Sequence, residues 1–218
     1  MKPVRLFFEK VDRAKYISHL DITRCLSRAF ARSGIPVWYT EGFNPRIYMS
    51  FALPLSLGYE GLCEFFDIRL LDDAFPMEKV VEMINPVLPE GIRVLRAAAP
   101  VSKPEAITGA DYAIRLYCEN PQQMAEKFRA FAAMETISVV KKTKKVEKEM
   151  DIKPLFQLLS LEPEDDILRL TLRNTAGITL NISPSLVMQA FEQHMGAQAD
   201  DYRVTRTAIY RADGTLFE

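Results

Sequence analysis

From Val4 to Ala97 the apolar residues change period again and again, and that succession restricts the folds open to this chain more than any other feature. Val4, Leu6 and Phe8 alternate with Arg5, Phe7 and Glu9, the two-residue period of a half-buried strand. A helix is then predicted from His19, with Ser18 as its cap, Asp21 reaching back toward it and Gly34 ending it. Ile22, Leu26, Ala29, Phe30 and Ser33 share one side of that helix, while Arg24, Arg28 and Arg32 run down the other. Pro36 to Thr40 reads as a short strand, and Gly42, Asn44 and Pro45 punctuate a loop. Leu62 to Leu70 alternates with Phe66, Ile68 and Leu70 inward, before a helix from Met77 to about Leu88 and a strand from Ile92 to Ala97.

This β-α-β-β-α-β order is that of a ferredoxin-like domain, predicted over residues 1–100. A linker over 101–109 follows, from the Pro104 region and its small or polar neighbours. Residues 110–218 then repeat the pattern loosely. Strands are predicted at Tyr112 to Tyr117, Ile137 to Lys141, Ile167 to Arg173 and Tyr202 to Tyr210, and helices at Pro121 to Met134 and Ser183 to Met195. The expected fold class is α+β, two tandem ferredoxin-like domains, the second enlarged by an insertion between Thr143 and Asp166.

A chain of 218 residues is long enough to bury a substantial core. It has no apolar run near the roughly 20 residues of a membrane span and no apolar stretch in its first residues that resembles a secretory leader, so a cytoplasmic protein with no membrane contact is expected. Cys25, Cys63 and Cys118 lie too far apart for a metal site or a disulfide framework to be read from them, so no metal and no cofactor is assigned. The net charge of −1 makes the whole molecule no electrostatic magnet for nucleic acid. Its distribution is uneven, however: residues 1–59 carry nine Lys and Arg against four acids.

Three stretches in and around that basic segment carry a resemblance: Ser18-His19-Leu20-Asp21, Gly42-Phe43-Asn44-Pro45-Arg46, and Ser50 through Gly58. With Asp151-Ile152-Lys153-Pro154-Leu155 and the closing Tyr202 to Tyr210, they resemble the radical SAM-linked proteins, an uncharacterised bacterial family. Members of that family are encoded beside or fused to a radical S-adenosylmethionine enzyme, often near a ribonuclease G gene. The resemblance therefore implies such an enzyme as partner. The chain departs from the family where Arg46 is followed by Ile47 and Tyr48 in place of a proline and a cation, and where Ser183 precedes Pro184 in place of an arginine. It lacks the CxxxCxxC triplet that holds the cluster of a radical enzyme, and so resembles the partner of that enzyme.

The candidate site residues each have a plain and a functional reading. Arg24, Arg28 and Arg32, joined by Arg46, are a phosphate-tracking stripe or a solvated face, and Asn44 shapes the loop. His19, in the first helical turn, is a structural histidine bonded to the Asn44 loop or a neutral general base. CRISPR repeat-processing endoribonucleases, which share a tandem ferredoxin-like plan, in many cases use a histidine from that region; the likeness is one of fold alone. Asp21 is a cap residue or its catalytic companion. Phe7 and Phe65, with Arg5 and Arg69 nearby, are predicted on the sheet face away from the helices, either exposed for base stacking or covered. Lys141, Lys142, Lys144, Lys145 and Lys148 form a cationic run that Glu147 and Glu149 dilute. The leading expectation is an RNA-binding accessory protein that presents structured RNA, tRNA or rRNA, to the radical enzyme. The alternatives are a metal-independent endoribonuclease using His19 and a protein-docking module without RNA contact.

Overall fold

A computed structural model describes residues 1–142 and 147–218, and the side chains outside 141–148. The cationic run Lys141, Lys142, Lys144, Lys145 and Lys148 therefore lies, in its side chains, outside the described residues. The fold is mixed α+β. Met1–Ala106 together with Leu216–Glu218 form one compact unit, and Ile107–Thr215 the other. No helix is long and apolar enough to cross a membrane among the described residues.

In the first unit, β1 (Lys2–Lys10) is flanked by β2 (Glu60–Leu70) and β3 (Ile92–Ala98), both antiparallel to it. Helices α1 (His19–Ser33) and α2 (Met77–Ile84) cover one face. Alternation decides which: Val4, Leu6 and Phe8 from β1 and Phe66, Ile68 and Leu70 from β2 are buried against Leu26, Phe30, Val80 and Ile84. Each such side chain contributes about 1.5–3 kcal/mol on leaving water. Helix α1 starts and stops where local chemistry directs. The Ser18 hydroxyl accepts the Asp21 N–H at 3.2 Å, and Gly34 takes the left-handed conformation at φ 72° that ends the helix. Helix α2 is shorter than expected because Pro86 has no N–H to continue the ladder, and Asn85–Val87 tighten into a 3₁₀ turn.

Pro36 to Thr40, expected as a strand, makes only isolated bridges. Its hydrogen bonds are divided between two neighbours: Pro36 O accepts from Leu71, just past the end of β2, and the Trp38 N–H donates to Arg69 O of β2, while Trp38 O and the Thr40 N–H turn to Tyr48 and Arg46. The segment changes partner at Trp38, so each side holds a single bridge and no ladder forms.

In the second unit, β4 (Ile107–Tyr117) lies between β9 (Asp201–Arg211) and β8 (Ile167–Thr175), and β8 pairs on its far side with β7 (Phe156–Glu164), all antiparallel. The first of these strands begins at Ile107, inside the stretch read as linker. Helices α3 (Pro121–Ala132) and α4 (Pro184–Met195) bring Phe128, Phe131 and Phe191 together, and Phe131 stacks on Phe156 of β7 at 5.8 Å. The strand expected at Ile137 to Lys141 exists as β5 (Ser138–Lys142), but it pairs with β6 (Glu147–Asp151) in a separate two-stranded antiparallel sheet. Its place beside β8 is taken by β7, which the sequence pattern concealed: the register shifts between Leu158 and Ser160, and Pro163 interrupts the alternation. Both irregularities are tolerated on a strand with one neighbour.

Candidate functional site

The capped start of α1 sets the direction of its outer face. Arg24, Arg28 and Arg32 are all exposed there, about 6 Å apart along the axis. They line one side of an open groove of ≈ 480 Å³ whose other wall is Val87, Leu88 and Pro89, with Cys25 and Asp21 completing it. Asn85 builds that wall, since its side-chain amide donates to Val94 O and accepts from the Val94 N–H, both at 2.9 Å, and so ties the 3₁₀ turn to β3. Arg32 Nη2 donates to Val87 O at 2.9 Å and spans the groove.

The three guanidinium groups differ in what they have left to offer. Arg24 pairs with Asp21 at 3.3 Å. The Ser18 hydroxyl, donating to the Asp21 carboxylate at 2.7 Å, holds that carboxyl below its ordinary range, with Arg24 adding to the effect, so it is ionised at neutral pH. Arg28 has no hydrogen bond or ion pair among the described residues. Burial pushes the Cys25 thiol up, against the opposing charges of Arg32 and Arg28, and leaves it a neutral thiol at pH 7. Pro89 also belongs to an adjoining depression of ≈ 830 Å³ lined by Asp12, Arg13, Lys15, Tyr16 and Glu90. Arg13 is exposed there between Asp12 and Glu90, Lys15 pairs with Glu60 at 3.6 Å, and none of these residues was expected in the site.

His19, Asn44 and Arg46 are not gathered into this groove. The imidazole of His19 sits edge-on against Phe51, with ring centroids 4.9 Å apart, and makes no side-chain hydrogen bond among the described residues. The expected bond to the Asn44 loop is thus replaced by a ring contact with a different loop. His19 makes no ion pair among the described residues, and Asp21 is engaged by Ser18 and Arg24. Asn44 and Arg46 stand exposed on a separate hairpin closed by the Tyr39–Ile47 bridge.

The profile of a family described as an uncharacterised protein conserved in bacteria, DUF2344, matches residues 4–184. The chain belongs to that family. None of the curated proteins matches the sequence. In this DUF2344 chain the matched region runs from β1 to the first residue of α4, and it includes the arginine groove and the hairpin.

The sheet face away from α1 and α2 is closed. Phe7 and Phe65 are both buried, the Arg96 guanidinium lies 3.6 Å over the Phe7 ring, and Phe217 packs on Phe65 at 4.8 Å. Of the two readings offered by the sequence, covered rings is the one observed. Two ion pairs on such faces were missed. In the first unit Arg5 grips Asp67 with Nε and Nη2 at 2.8 and 2.9 Å. In the second, Arg173 grips Asp111 the same way at 2.7 and 2.9 Å, and the Tyr210 hydroxyl donates to Asp111 at 2.8 Å. No local signal marks either pair, because the partners meet only through strand register.

Proposed function

We propose that this chain is a non-catalytic RNA-binding accessory protein whose α1 groove holds backbone phosphates of a structured RNA such as tRNA or rRNA. The observation that carries the reading is the sharing of one open groove by Arg24, Arg28 and Arg32, of which only Arg24 has a carboxylate partner among the described residues. Three cations stepped along a helix address successive phosphates and give affinity without sequence choice. Arg13 stands exposed in the adjoining depression and adds one cation to the track, beside Asp12 and Glu90. Each unit is read here as a ferredoxin-like half, with the 36–40 segment and β7 as second strands. The partner is a radical S-adenosylmethionine enzyme, as the resemblance of the Ser18 to Asp21 and Gly42 to Arg46 stretches implies, and the setting is the cytoplasm. Arg46 and Asn44 belong to a second contact on the hairpin.

The test is a salt series of RNA affinity for wild type and for Arg24→Gln/Arg28→Gln/Arg32→Gln, with folding checked by circular dichroism. The variant is expected to bind more weakly and to lose about two to three units of the log–log salt slope. Unchanged affinity and slope in a folded variant would overturn the site.

A further inference from the structure

The hairpin beyond the groove presents one aromatic ring in an unusual way. Phe43 is fully exposed, at 105% of a reference residue, and no other ring or cation contacts it among the described residues. Single exposed apolar residues are ordinary on protein surfaces. What sets Phe43 apart is that its loop is built and braced. The Thr40 N–H donates to Arg46 O at 2.8 Å, the Arg46 N–H to Thr40 Oγ1 at 3.2 Å, and the Tyr48 N–H to Trp38 O at 3.1 Å. Below them Ile47 is buried, and Trp38 and Tyr48 flank the Arg69 guanidinium at 5.3 and 4.8 Å, anchoring the hairpin to β2. At the apex Gly42 has φ 119°, a conformation other residues avoid, and Pro45 restricts the chain on the other side. The chain thus holds a large apolar side chain in water on a fixed support, where its burial would be favourable.

The surroundings of the ring select its occupant. Glu41, Asn44 and Arg46 are all exposed beside it, so Phe43 stands as an isolated ring among polar groups. A protein partner is met by a contiguous apolar patch with a rim around it. An isolated ring with both faces open, an amide next to it and one cation a few residues on instead matches a nucleotide, with base on ring and phosphate on guanidinium. Glu41 repels phosphate on its own side of the apex and leaves the Arg46 side for the backbone. We propose that Phe43 is the stacking platform for one unpaired nucleobase, with Arg46 on the adjoining phosphate and Asn44 on the base edge or sugar. This deepens the RNA reading of the α1 groove and rests on it: the groove supplies affinity without sequence choice, and the hairpin distinguishes an unpaired loop from a continuous duplex.

The experiment uses the full chain and two probes, an RNA stem–loop with an unpaired loop and the same stem as a blunt duplex. Phe43→Leu keeps the apolar volume and removes the stacking face. It is expected to weaken stem–loop binding by about 5- to 150-fold, the range of a single base stack, with duplex binding and the salt slope unchanged. Phe43→Trp is expected to retain affinity, and its fluorescence, read against wild type with its lone Trp38, to be quenched by the stem–loop and not by the duplex. Equal stem–loop affinity for wild type and Phe43→Leu overturns the assignment. So does equal loss on both probes, and so does a Phe43→Leu variant that binds RNA normally but no longer retains a co-purifying protein. If the triple arginine variant loses affinity while Phe43→Leu does not, this inference fails alone. If wild type binds neither probe, the groove reading fails with it.

Discussion

The two units carry the same device with its charges exchanged. In the first, Arg5 on the opening strand grips Asp67 directly opposite on β2; in the second, Asp111 on the opening strand is gripped by Arg173 directly opposite on β8. Each pair is separated by 62 residues, and each lies on the face that the helices do not cover. The depth of the charges differs. Arg5 is 1% exposed and Asp67 21%, whereas Arg173 is 42% exposed and Asp111 10%. The first unit buries its cation and supports it with Ser102 O at 3.0 Å and the rings of Phe65 and Phe217; the second buries its anion and supports it with the Tyr210 hydroxyl. Ring faces suit a cation and a phenol O–H suits a carboxylate; Tyr210 does both, its hydroxyl on Asp111 and its ring 4.2 Å from the Arg173 guanidinium, whereas the first pair has rings on its cation alone among the described residues.

The largest effect separating the pairs comes from removing each shallower partner. Asp67→Ala strands Arg5 in a buried setting and is expected to cost about 3 kcal/mol in urea unfolding, whereas Arg173→Ala leaves Asp111 bonded to Tyr210 and close to water and costs about 1–2 kcal/mol. Equal costs would break the comparison. Exchanging the first pair as Arg5→Asp/Asp67→Arg tests the rings next: the double variant should stay about 2 kcal/mol below wild type, because neither Phe65 nor Phe217 attracts a carboxylate.

The smallest effect is one of pH. Burial, and then the bond to Asp111, raises the Tyr210 phenol above its ordinary value of 10.0. The fold favours the neutral phenol, so its stabilisation is complete below the unfolded value and is lost as pH rises through the folded one. Stability measured above pH 10 should therefore fall less steeply for Tyr210→Phe than for wild type, and no matching loss arises at the Arg5 pair, which bonds to Asp67 and Ser102 and to no tyrosine among the described residues. An identical alkaline profile for the two proteins would remove Tyr210 from the second pair's support.

Much of α1 was legible beforehand. Ser18, Asp21 and Gly34 define its ends within one turn, and the arginine spacing places Arg24, Arg28 and Arg32 on its outer side through helix geometry alone. The groove they share was not legible, because its far wall is Val87, 55 residues from Arg32. Strands with clean alternation, such as Leu168, Leu170 and Leu172 in β8, were read correctly, while β7 was missed where a register shift and Pro163 break the period. His19 was expected to bond the Asn44 loop, and its contact with Phe51 depends on how the 50–58 segment returns to the helix.

By itself, then, the sequence determined what acts within about one turn or one strand: caps, the apolar face of each element, the glycine and proline at the hairpin apex. Only the tertiary structure decided which elements lie side by side, and with them the groove, the two exchanged ion pairs and the closure over Phe7 and Phe65. The reason is range. Backbone conformation and periodicity are local, whereas an ion pair across 62 residues exists only once strand register has set Arg5 opposite Asp67 and Asp111 opposite Arg173.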